Sequence, residues 1–279
     1  MNHPAMNITG LGRPLDFKYP GNWDIFFLTL AVTIFGIGFQ LIWGPGGIQA
    51  VLWGLGAGLS IFLTWAIGRE LDPDHIISDF IAAGLTLIGL FIWGIPSLIF
   101  LFWLLLAVRI LNRTTGKAAT ILDSLGLIAL GAWLSYQGSW IAGLLSAVVL
   151  FSDSLLPQGK KRQIFLAVVS LGASSAALIF GKGIGSRMNI SWEAAVTPLL
   201  AAVVFFPVVI QSRHIRSLMD QTGERMIPAR VQAGQVLALA FWLLISFWRG
   251  FPGLISTLPV GAAALGAGIF HLIRILKSR

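Results

Sequence analysis

Six ionisable side chains fall within twelve residues, Gly68 to Asp79 (GRELDPDHIISD), and long apolar runs flank them on both sides. Asp72, Asp74 and His75 are oxygen and nitrogen donors of the kind that hold Mg²⁺, Mn²⁺ or Zn²⁺. A metal there could also bring a lipid phosphate. The competing reading is a wet connection between two helices. Pro73 biases Asp72 toward extended backbone, and an acid at the start of the next helix, such as Asp79, is stabilised by the helix dipole. Arg69 would then pair with a nearby acid. A zinc site drawn from His75, His214 and His271 lacks a second histidine at helical spacing on any one helix. Arg213 and Arg216, beside His214, would also repel a cation.

Arg109, Arg113 and Asp123 extend the set. Asp79 and Asp123 lie closest to the apolar interior, and Arg69, Arg109 and Arg113 are their expected partners. The candidate binding cluster is therefore Arg69, Asp72, Asp74, His75, Asp79, Arg109, Arg113 and Asp123, at the inner mouth of the helices. No residue is assigned a catalytic role and no cofactor is expected, with a divalent metal at Asp72, Asp74 and His75 as the alternative. The absence of cysteine removes disulfides, thiolate metal sites and catalytic thiols. NRTTGK (Asn112–Lys117) and DQTGERMIP (Asp220–Pro228) read as turns; neither has the glycine spacing or Lys-Ser/Thr ending of a phosphate loop.

The elements that position these residues follow from composition. Of 279 residues, 56% are hydrophobic and 11% charged, against roughly 25% charged in a soluble domain. So little charge cannot clothe a water-facing surface. Continuous runs such as Ile99–Val108 exclude the alternation of a membrane barrel. Helices satisfy their own backbone in lipid, so the fold class is all-α, a polytopic integral membrane protein.

Apolar runs cover 24–43, 48–68, 76–110, 118–156, 163–181, 190–211, 231–248 and 252–274. A single helix over 76–110 would be about 50 Å long against a hydrocarbon core of about 30 Å. Gly94-Ile95-Pro96 divides that run, and Tyr136–Ser139 divides 118–156. The result is ten transmembrane helices in five antiparallel hairpins, with turns at 44–47, 94–96, 136–139, 181–193 and 249–253. The alternative leaves both runs whole and has eight helices.

Ten helices place sixteen of nineteen Lys and Arg on the side of the termini, leaving Lys182, Arg187 and Arg249 opposite; eight helices leave six opposite. The positive-inside bias favours ten, with both termini cytoplasmic. Trp43, Trp93, Trp140, Trp192 and Trp248 then sit at the hairpin turns, at headgroup level. Residues 1–23 read as a cytoplasmic arm without a signal peptide, 24–274 as one transmembrane domain with halves at 24–136 and 139–274, and 275–279 as a cytoplasmic tail. Echoes between 69–89 and 113–131 run at shifts of 44 and 42 residues and establish no repeat.

The net charge of +8 follows from that bias and requires no nucleic acid. Lys160–Arg162 and Arg213–Arg216 face the inner leaflet, where each cation contributes about 1 kcal/mol toward anionic lipid. The expected partners are the lipid bilayer, those anionic lipids, and a membrane protein or second copy of the chain. No ionisable residue sits at a helix midpoint, which argues against a buried proton relay. Small residues at Gly54–Gly58, Ser170–Ser175 and Gly261–Gly268 allow close packing, and Pro198, Pro207 and Pro259 bend their helices. Three functions remain, in order: a plasma-membrane carrier or exporter of a small uncharged or lipophilic solute, a non-catalytic assembly subunit, and a metal-dependent lipid-modifying enzyme at the cytoplasmic face.

Overall fold

Glycine and proline punctuate the apolar runs, and the helix boundaries follow them. The computed structural model describes residues 9–183 and 191–277. Residues 1–8 of the arm, the part of the 181–193 turn that carries Arg187, and Ser278 and Arg279 of the tail lie outside the described residues. The α-helices are α1 (Pro20–Trp43), α2 (Gly47–Leu71), α3 (Ile76–Trp93), α4 (Leu98–Asn112), α5 (Ile121–Tyr136), α6 (Trp140–Leu155), α7 (Arg162–Phe180), α8 (Trp192–Gln211), α9 (Pro228–Arg249), α10 (Phe251–Ser256) and α11 (Leu258–Lys277). Among the described residues there is no strand beyond a single bridge, Leu218 to Arg225.

The 76–110 run breaks where its glycine stands. Gly94 adopts φ +86, a conformation costly for any other residue, and α4 begins four residues later. Pro20 opens α1 and Pro228 opens α9, where the missing N–H removes no helix bond. One expected helix differs. The 252–274 segment is split at Thr257 into α10 and α11, because Pro259 cannot donate to the preceding turn. At the break the Thr257 hydroxyl donates to the Gly253 carbonyl at 2.8 Å.

Among the described residues, seven helices are long and apolar enough to cross a membrane: α1, α2, α3, α7, α8, α9 and α11. The shorter α4, α5 and α6 have 15, 16 and 16 residues. The surface is that of a protein in lipid: Phe27, Ile34, Phe35, Phe165, Val168, Val203 and Phe206 are all exposed on helix faces, which only lipid accommodates at this density. The chain is a multi-pass α-helical membrane protein.

Of the seven, α2 is the most enclosed and α1 the least. α2 packs against α1, α3, α4, α9 and α11, while α5, α6 and α7 pack on one another and join the rest through α4 and α9. Trp103 and Phe241 fill the α4–α9 contact with ring centroids 4.9 Å apart, and the Trp103 indole donates to Ser146 Oγ on α6 at 2.9 Å. One end of the bundle is aromatic, with Trp140 against Trp248 and Trp93 against Phe251. The other end gathers the ion pairs.

The α1–α2 seam depends on glycine. A Cβ on Gly54 would stand 2.5 Å from Ile37 Cγ1 and 2.6 Å from the Thr33 carbonyl oxygen. Gly54→Val is expected to destabilise the protein by about 1–3 kcal/mol through overpacking, read as a lower melting temperature in mild detergent. Gly84→Val should leave the melting temperature unchanged, because a Cβ there meets nothing within 4 Å.

Candidate functional site

Two fully buried carboxylates organise the charged end. Glu70, in the last turn of α2, has no exposed surface. It accepts from Arg13 Nη1 at 3.1 Å, Arg109 Nε at 3.2 Å, Asn112 Nδ2 at 3.2 Å and Thr114 Oγ1 at 3.2 Å. Asn112 also donates to the Glu70 carbonyl at 2.8 Å. Arg13 reaches past Glu70 to Asp220, with Nε 2.5 Å from Oδ2. Burial by itself would lower the Arg13 pKa, but the charges of Glu70 and Asp220 outweigh it and hold the pKa above the ordinary arginine value.

Asp153, in the last turn of α6, is the second centre. It accepts from Arg113 Nη2 at 3.0 Å and Arg230 Nη1 at 2.8 Å, and all three side chains are buried. Arg230 also donates to the carbonyls of Leu111 and Pro157, and Arg113 donates to that of Gln158 at 2.8 Å. Arg113 and Gln158 are the two non-glycine residues with positive φ among the described residues, at +52 and +61. A left-handed residue of this type costs of order 1–3 kcal/mol. Their direct hydrogen bond and the Asp153 pair hold the strained corner in place.

The arm is part of the same end. Asp123 caps α5 through Thr120, and it also accepts from the Gly10 N–H at 2.9 Å and from the Thr9 hydroxyl. Thr115 Oγ1 donates to the Gly10 carbonyl at 2.5 Å, and Leu11 is buried. Residues 215–227 cross the end as a folded hairpin. Ile215, Met219 and Met226 bury against Val231, and Asp220 and Gln221 donate their backbone N–H groups to the carbonyls of Thr114 and Thr115.

Each member of the expected cluster finds a partner at this end. Asp74 accepts from the backbone N–H of Ser217 at 2.8 Å and of Arg216 at 3.1 Å, and from the Ser217 hydroxyl at 2.6 Å. It thereby pins the 215–227 hairpin to the α2–α3 turn. Asp72 Oδ1 lies 2.8 Å from His75 Nδ1, and His75 Nε2 lies 2.7 Å from Arg274 Nη1. Arginine only donates, so Nε2 is the acceptor and Nδ1 carries the hydrogen that Asp72 accepts. Asp72 and His75 thus bond to each other while Asp74 faces the 215–227 hairpin, and among the described residues no group of three His, Asp or Glu side chains is arranged to hold a metal ion.

Asp79 is fully buried, and neither of its oxygens has a hydrogen-bond partner. Arg69 Nε is 3.9 Å away. The expected pairing of Arg69 with Asp79 is present; Arg109 and Arg113 pair instead with Glu70 and Asp153, and Asp123 holds the arm. Sequence reasoning does not single out Glu70, Asp153, Arg13, Arg230 or Asp220. Glu70 reads there as part of a solvated turn, and Arg13 and Arg230 as markers of topology. Arg109 and Asn112, the polar residues in the last turn of α4, are the signals that point to the buried Glu70.

Between the arm, the α2 end and the hairpin lies a cavity of about 470 Å³, within the size range of small-molecule sites. Phe62, Trp65, Ala66 and Arg69 line it from one face of α2, while Arg13, Arg109 and Asp220 stand at its charged wall. Fold and cavity together define a multi-pass helical membrane protein with an amphipathic pocket at its charged end. Comparison with known proteins gives no matching family model, curated protein or solved structure.

Asp153→Asn leaves Arg113 and Arg230 buried without a counter-charge, and the expected loss is about 3–5 kcal/mol of stability. Glu224→Gln, on the exposed hairpin tip, should change stability by less than about 0.5 kcal/mol. Thermal melting in the same detergent compares the two.

Proposed function

We propose that this chain is a carrier or exporter of a small lipophilic solute, set in the plasma membrane by ten crossing helices with both termini cytoplasmic. The cavity is the observation that carries the solute reading. Its inner wall on α2 is aromatic and its mouth is charged, so a lipophilic molecule can leave water in stages. Arginines at the mouth favour a lipophilic solute with a polar end over a fully apolar one. The bundle around the cavity is helix packed on helix through small residues, which suits shifts of one helix group against another.

Ten crossings require α4, α5 and α6 to span. At 1.5 Å per residue they reach about 22–24 Å, and local bilayer thinning with flanking polar residues bridges such a shortfall. The charge partition supports the orientation: Arg13, Arg69, Arg109, Arg113, Arg230 and Arg274 meet at one end, and Lys182 and Arg249 lie toward the other.

Orientation is tested with single cysteines, since the chain has none of its own. With Glu224→Cys, a membrane-impermeant thiol reagent should label only after cell lysis; with Gln49→Cys it should label intact cells. The reverse pattern would invert the topology. Transport is tested without choosing a solute. Proteoliposomes are loaded with an organic extract of the source cells, and released compounds are identified by mass spectrometry. At least one compound should leave faster than from protein-free vesicles, and Ala66→Trp, which fills the cavity, should abolish that difference. Identical release from both vesicle types for every compound would end the carrier reading.

A further inference from the structure

Three side chains that line the cavity offer free hydrogen-bond donors, beside a buried acceptor without a partner, Gln221 Oε1. The Arg69 guanidinium makes no hydrogen bond among the described residues, and its nearest acid is 3.9 Å distant. Arg109 spends Nε on Glu70, and neither terminal guanidinium nitrogen has a partner among the described residues. Trp65 is 7% exposed, and its indole N–H is unpartnered. A buried indole N–H ordinarily finds an acceptor. All three side chains line the same space. The acids near it are largely engaged: Asp220 and Glu70 hold Arg13, and Asp16 accepts the Lys18 N–H. Asp79 stands behind Arg69 without a hydrogen bond.

The apolar half has a direction. Phe62, Trp65, Ala66 and Arg69 follow the i, i+3, i+4, i+7 spacing of one helix face, so Phe62 lies about 10 Å deeper than Arg69. The Phe62 and Trp65 rings are 5.9 Å apart. Donors at the mouth and rings beneath them fit a ligand whose acceptor group stays at the charged end and whose apolar part runs inward.

We propose that the cavity binds an oxyanion carried on an apolar group. A phosphate or carboxylate head sits on Arg69 and Arg109 with the Trp65 N–H as a third donor, and the apolar part lies along Phe62 and Trp65. Guanidinium groups match oxyanions in shape as well as charge. Release of the bound ligand across the membrane rests on the carrier reading; the site itself stands on the donors and the rings.

The test uses the full chain in phosphatidylcholine nanodiscs, with dodecyl phosphate and dodecanol as probes and ligand-dependent melting as the readout. Dodecyl phosphate should bind saturably, and dodecanol about tenfold more weakly or worse, as expected for losing charge-assisted hydrogen bonds. Arg69→Gln should weaken dodecyl phosphate about tenfold, and Trp65→Phe about threefold. Ala66→Trp, on the same face of α2, should remove the binding by filling the cavity with every donor kept, which covers the case in which Arg69→Gln fails to fold. Arg274→Gln, at the same end but outside the cavity, should keep the affinity. Inorganic phosphate competing with the probe would identify a soluble phosphate ester as the ligand source, and no competition would identify a lipid. No saturable binding, equal binding of dodecanol, or equal losses in Arg69→Gln and Arg274→Gln would overturn the proposal, the last by reducing it to surface charge. Binding without protein-dependent release would leave the site and remove the carrier. Release of neutral compounds without dodecyl phosphate binding would do the reverse.

Discussion

A carboxylate without water must be given other partners, and the charged end of this molecule is built around that requirement. Glu70 has no exposed surface and is met by two arginines, an asparagine and a threonine. These come from the arm, α4 and the turn after α4, so one side chain fixes three segments. Asp153 does the same for the α4 corner, α6 and the start of α9. Removing one partner from a buried ion pair is costly because the remaining charge stays dry. The pairs therefore set position as much as stability, and Arg13 ties the arm to α2 at Glu70 and to the 215–227 hairpin at Asp220, beside the cavity.

The rest of the bundle is held by different means. Lipid gives helices no hydrophobic reason to associate, so close approach does the work. Gly36 and Gly54 meet across the α1–α2 seam, and Trp103 and Phe241 interlock α4 with α9. Polar contact there includes hydroxyls that bond within the protein, such as Ser146 with Trp103 and Thr64 with Thr86. Rigid packing in the middle and ion pairs at one end leave the cavity as the place where solvent, lipid and protein meet.

The helices are legible in the sequence because lipid imposes one rule on the whole chain: apolar throughout, with breaks only at glycine, proline and polar turns. Gly94 and the 136–139 turn divide runs that composition alone would join. The break before Pro259 escapes that rule, since proline in a span can also bend a helix without ending it. The site is less legible. Arg69 and Glu70 are adjacent in sequence, yet a rotation of about 100° per residue sends one to the cavity and the other to the interior. Asp72, Asp74 and His75 carry the strongest chemical signal in the chain, yet they hold the 215–227 hairpin and Arg274. Partners separated by 40 residues, such as Arg113 and Asp153, leave no local spacing to read.

If Glu70 organises the charged end, neutralising it should loosen the segments it joins and spare the others. Hydrogen–deuterium exchange on Glu70→Gln in nanodiscs measures this directly. Faster exchange is predicted in residues 9–19 and 215–227, with α5, α6 and α7 unchanged because they pack on one another and Asp153 still ties α6 to the α4 corner and α9. Unchanged exchange in the arm and hairpin, or an equal loss of protection across the whole bundle, would contradict that role for Glu70.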